Sequence, residues 1–166
     1  TKKLDWWFYL FLLNFVLTMK QFIFILVLCI SLFQTAFSQK EANIWYFGKQ
    51  AGLDFNTGQP VILNGFSTTY MNSASISDSS GSFLFTSNGK KIWNRNKQLM
   101  QNGDNLKGSI SCSQGVLIIK KPGNNYLYYL FTVGEAEGPP ADYGLYYSVI
   151  DLNLDSGLGG VTSEKN

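Results

Sequence analysis

A chain of 166 residues is long enough for one core-bearing domain, and its lack of histidine removes the usual base of serine and cysteine nucleophiles. Of its 13 basic and 11 acidic side chains, Lys2, Lys3, Lys20 and Asp5 fall in the first 38 residues, which leaves ten of each beyond them. Zero net charge with no basic stripe argues against nucleic acid as a partner.

Residues 6–37 are almost wholly apolar. Within them, Met19-Lys20-Gln21 opens a short basic start, an apolar run covers 22–32, and small residues stand at Ala36 and Ser38 before Gln39. That order is expected of a secretory signal peptide over 19–38, cut before Gln39. Residues 1–18, which begin with Thr, then read as an upstream over-extension or an extra hydrophobic segment. The rival reading is a retained membrane anchor. Residues 6–18 alone are too short for a bilayer core that takes about 20 residues, but joined to 22–37 they are long enough. A membrane is thus a partner only if residues 1–38 stay attached. Cys29 would leave with the signal peptide, and Cys112 then has no partner for an internal disulfide and reads as a small buried hydrophobe.

Beyond Gln39 the composition turns to Gly, Asn, Ser and aromatics, and short strands are expected throughout. Asn43-Ile44-Trp45-Tyr46-Phe47-Gly48 is a first strand, 52–55 a second turned by Asn56-Thr57-Gly58, and 60–63 a third ending at Asn64-Gly65. Residues 66–72 read as a crossing loop. The stretch 74–94 reads as a three-strand meander, with turns at Asp78 to Gly81 and at Asn88-Gly89, the latter of type I′. In it Phe83 and Phe85 share one face and Leu84 takes the other. Residues 98–100 lead to a turn at Asn102-Gly103. A second cycle follows: a strand at 116–119, a turn at 120–125, a long strand at 126–133 expected to be covered on both faces, and a strand at 145–152. The two cycles correspond, and a repeat of short antiparallel strands predicts an all-β, incomplete propeller-like array over 39–166. A β-sandwich is the alternative.

The set formed by 43–48, by Ala51-Gly52-Leu53-Asp54-Phe55-Asn56-Thr57-Gly58, by Ile76-Ser77-Asp78 with Gly81, Phe85, Asn88-Gly89 and Ile92-Trp93-Asn94, and by Lys121-Pro122-Gly123, Tyr128-Tyr129 and 151–160 resembles the opening of large secreted Bacteroidetes surface proteins. Those proteins end in a gliding-motility-associated, type IX secretion (type B) sorting domain. The resemblance implies a propeller-like N-terminal region, followed by PKD-like or Ig-like modules, and passage through outer-membrane export machinery. Under it the chain is expected to be a fragment truncated at its C-terminus.

Three patterns are candidate sites. Asp151, Asn153 and Asp155 place oxygen side chains at alternate positions, as in the first half of a calcium loop, although Ser156 and Thr162 stand where a Gly and a carboxylate would complete it. An ordinary strand running into a turn is the competing account. Tyr143, Tyr146 and Tyr147, near Glu135, Glu137 and Asp142, could stack on a polysaccharide or meet a protein ligand. Asp78 with Ser79, Ser80 and Gly81 resembles an Asp-box but carries one residue too many, so a side-chain-capped turn is expected. No catalytic constellation and no cofactor other than calcium is suggested. The function expected is a non-enzymatic, exported cell-surface or extracellular platform for adhesion or interaction. The alternative is an exported carbohydrate-active hydrolase whose catalytic residues lie outside these 166 positions.

Overall fold

The computed structural model describes residues 6–32, 39–69, 71–135 and 143–166, with side chains in the helix given as far as Val27. The chain divides into two compact units, Thr1–Ser38 and Gln39–Asn166.

In the first unit a single helix, α1, runs Trp6–Leu32 without a break at Lys20. Its stretch Trp6–Val27 is long and apolar enough to cross a membrane by length and composition. Thr18 satisfies its own hydroxyl within the helix, its Oγ1 donating back to the Asn14 carbonyl at 2.9 Å. An apolar helix at this position is compatible with a signal sequence. The residues around the expected cleavage point, 33–38, lie outside those described.

Among the described residues the second unit forms three antiparallel sheets. The first contains β1 (Ile44–Phe47), β2 (Lys49–Asp54) and β3 (Val61–Thr68), paired in chain order. Strand β3 does not stop at Asn64-Gly65, as expected, but runs on into the supposed crossing loop. The reason is a bulge in β3: Lys49 pairs with Thr68 and Ala51 with Asn64, so residues 65–67 stand opposite Gln50 alone, which adopts a φ of 56°. Gly65 permits this, because a Cβ there would lie 2.6 Å from the Gln50 carbonyl carbon.

The second sheet is the meander β4 (Ala74–Ser77), β5 (Phe83–Ser87) and β6 (Ile92–Asn94), extended by an antiparallel bridge from Trp93 to Leu99. Its second turn departs from type I′. Gly89 has a φ of +90°, while Asn88 works through its side chain, its Oδ1 accepting from the Lys90 and Lys91 N–H groups at 3.0 and 2.9 Å. Strand β5 also carries a bulge, with Ile76 opposite Phe85 and Ser77 opposite Phe83. The two phenylalanines therefore serve different neighbours. Phe83 packs against Tyr46 of the first sheet at 4.9 Å between ring centroids, and Phe85 meets Tyr128 of the third sheet edge-on at 5.5 Å. Leu84 joins Phe85 in the core instead of opposing it.

The third sheet holds β7 (Val116–Lys120), β8 (Leu127–Val133), β9 (Leu145–Asp151) and β10 (Gly160–Val161), in the order β10-β9-β8-β7. Phe85, Ile92 and Met100 of the second sheet interlock with Val116, Tyr128, Leu130, Ile150 and Val161 of the third in one apolar cluster. Phe85 is fully buried, which stabilises the fold by about 2–3 kcal/mol relative to leaving the ring in water. The first strands lie side by side, β1 beside β4 and β4 beside β7. At the other edge, Gln101 forms a parallel bridge to Gly160.

The expectation that the long strand is covered on both faces is corrected. Tyr128, Leu130 and Thr132 are buried, whereas Leu127, Tyr129 and Phe131 are half-exposed and Val133 is exposed. Strict alternation means one face packs on the second sheet and the other is open.

Candidate functional site

Two surfaces of the second unit combine exposure with chemistry. The first is the open face of the third sheet. Pairing of β7, β8 and β9 places Leu117 opposite Phe131, Phe131 opposite Tyr147, and Val133 opposite Leu145. The rings of Tyr129, Phe131 and Tyr147 form a triangle with centroid separations of 6.1, 6.2 and 6.3 Å, and Lys121 sits over Tyr129. Leu145 is 71% and Tyr147 48% exposed, so the patch presents apolar side chains to its surroundings.

The second surface is a cleft of about 600 Å³ between the second and third sheets, at the end where both make their first hairpin turn. Glu41, Asp78, Arg95, Lys120, Tyr126 and Tyr128 line it, over an apolar base from Leu84 and Leu152. Glu41 is held beside it by its own backbone, whose carbonyl accepts from the Ser77 N–H at 2.7 Å. Its Oε2 is buried without a hydrogen-bond partner. Tyr128 is 3% exposed, its ring packed against Phe85. Burial pushes the Tyr128 hydroxyl's pKa up, and the negative charges of Glu41 and Asp78 push it further. Arg95 donates to the Gly157 carbonyl, which ties the second sheet to the turn before β10. Among the described residues the ion pair is Lys165 with Asp104 at 4.0 Å, away from this cleft. The carboxylates and cations of the cleft thus face a shared space without neutralising each other directly.

The residues singled out in the sequence are dispersed. Asp78 caps its turn as expected: Oδ1 accepts from the Ser80 and Ser82 N–H groups at 2.8 and 3.0 Å and from the Ser80 hydroxyl. Asp151 makes a similar turn, Oδ1 accepting from the Asn153 N–H at 2.9 Å and from the Asn153 side-chain amide at 3.1 Å. Asp155 and Ser156 take left-handed φ values of 49° and 54° in a 3-10 turn over Asp155–Gly157. Among the described residues there is no group of three or more His, Cys, Asp or Glu placed to hold a metal ion. Tyr143 is 79% exposed, while Tyr146 and Tyr147 point to opposite faces of β9: Tyr147 joins the open aromatic face, and the Tyr146 ring lies under the Lys107 ammonium at 5.1 Å. Glu137 and Asp142 lie outside the described residues. Cys112 is half-buried, its Sγ donating to the Gly134 carbonyl at 3.1 Å.

Sequence reasoning did not find the cleft. Glu41, Arg95 and Lys120 belong to no motif, and their meeting depends on how two sheets stack. The inward position of Tyr128 could have been read from alternation with Leu130 and Thr132.

Comparison with protein-family profiles, curated proteins and solved structures finds no match to this chain.

Proposed function

We propose that the protein is an exported, non-enzymatic interaction platform at the cell surface or outside the cell, in which propeller-like sheets present contact surfaces. The observation that carries this reading is the open apolar face of the third sheet, with Phe131, Tyr129 and Tyr147 at its centre. Aromatic side chains on a hydrogen-bonded sheet offer contact area at little entropic cost, as binding surfaces require. The occupant favoured here is a protein surface, because the patch is dominated by branched aliphatic side chains beside the rings; a polysaccharide is the competing ligand. Three successive sheets with neighbouring first strands support the propeller-like reading of the fold. The apolar N-terminal helix supports export by a signal peptide and makes a retained anchor the competing account.

The test is retention of the purified chain on immobilised cell-surface proteins and, in parallel, on immobilised surface polysaccharides of the producing cells. Phe131→Ala with Tyr147→Ala should reduce retention on protein at least tenfold, since central aromatic anchors dominate such contacts. Equal retention of parent and variant would remove the open face as the contact surface. N-terminal sequencing of exported material, starting near Gln39, would establish cleavage and exclude the anchor.

A further inference from the structure

We infer that the cleft between the second and third sheets is a binding site for a neutral saccharide unit, separate from the open face on which the platform reading rests. Its size, about 600 Å³, suits a ligand of one or two sugar rings. Its chemistry is that of a polyhydroxyl ligand. Glu41 Oε2 is a buried acceptor with no donor, and Tyr128, whose ring is buried, lines the same cleft. Leaving the Glu41 oxygen unpaired has a free-energy cost, and a sugar hydroxyl can donate to it while its neighbour accepts from the Tyr128 hydroxyl.

Charge narrows the ligand class. Glu41 and Asp78 would repel an anion, and Arg95 and Lys120 would repel a cation, so a neutral ligand meets the least opposition. The same four groups supply charged hydrogen-bond partners for hydroxyls around a ring. Tyr126, exposed at the mouth, offers an aromatic face, while Leu84 and Leu152 meet the apolar C–H side of a sugar. Asp78 Oδ1 is already committed to its turn, so Glu41 and Tyr128 are the residues on which affinity depends.

Saturation-transfer difference NMR tests this with the full chain in a sugar-free zwitterionic detergent and four probes: cellobiose, xylobiose, mannobiose and chitobiose. At least one should receive transfer onto its ring protons. Glu41→Ala and Tyr128→Phe should each weaken that binding roughly five- to tenfold, the range expected for one hydrogen bond in a closed site. Neither should lower the melting temperature, because Glu41→Ala removes a buried unpaired oxygen and Tyr128→Phe keeps the buried ring. Tyr126→Ala, at the mouth and clear of the core, should weaken binding as well and serves if a core variant fails to fold. No transfer to any of the four probes overturns the inference, as does binding that survives the cleft variants. Tyr147→Ala should leave disaccharide binding unchanged, so failure of the cleft and failure of the open face are read separately.

Discussion

Asp54, Asp78, Asn88, Asn94, Asn124 and Asp151 act alike, in that each directs its Oδ1 at a backbone N–H two residues on, at 2.7 to 3.0 Å, and closes a turn. This accounts for much of the Asn and Asp content of a chain built from short strands. At Asp78 burial raises the carboxyl pKa, but the Ser80 hydroxyl and the Ser82, Ser80 and Gly81 N–H groups outweigh it and hold the pKa below the usual range. A depressed folded-state pKa stabilises the fold above the unfolded value, near 4, and that stabilisation is lost as pH falls through the folded value. Asp78→Ala should therefore cost about 1 kcal/mol at neutral pH, and the gap between parent and variant should narrow below about pH 4. Thermal melts from pH 7 to pH 2 check this; a gap that does not narrow would show that the carboxylate's charge contributes nothing there. The Asp78 turn was legible because Asp, Ser and Gly stand together. The turn role of Asp151 was harder to see, since alternating oxygen side chains suit a metal loop and a turned strand end equally well.

A strand that serves two neighbours needs more than alternation, and β5 shows how one extra residue supplies it. The bulge opposite Ile76 and Ser77 sends Phe83 towards Tyr46 and Phe66 while Phe85 enters the cluster with Tyr128. Phe85→Ala should cost about 3–5 kcal/mol, as for a large ring removed from a closed core, whereas Phe83→Ala, at a half-buried position, should cost about 1–2 kcal/mol. Urea titrations of the two variants decide it, and equal losses would mean that both rings share one core. Strand existence was mostly readable from β-branched and aromatic runs between Gly and Asn turns. The bulges in β3 and β5 were not, because the position of an inserted residue is defined only against the partner strand. For the same reason β3 was expected too short, and the outer face of β8 was expected to be covered.

At the scale of the whole molecule the three sheets are not equally attached. The third is stitched to the second along its outer edge as well as through the core: Val161 N–H donates to the Gln101 carbonyl at 2.9 Å, and the Asn102 amide donates to the Val161 carbonyl at 3.1 Å. The first sheet holds to the second without such an edge stitch, through the Tyr46 ring between Phe66 and Phe83, the Tyr46 N–H donating to the Ser75 hydroxyl at 3.0 Å and the Asn56 amide donating to the Gly81 carbonyl at 2.9 Å. The parallel bridge between Gln101 and Gly160 consequently sets an order of failure. Under stress the Gln39–Asn166 unit should open from its N-terminal sheet first, and the other two sheets should let go together. Native-state hydrogen exchange would show β2 and β3 amides released at low denaturant, with β5 and β8 amides sharing one higher opening energy. Separate opening energies for β5 and β8 would mean the stitch carries no load. If they coincide, a tug on residues beyond β1 would be absorbed by shedding one sheet while the cleft between the other two stayed whole.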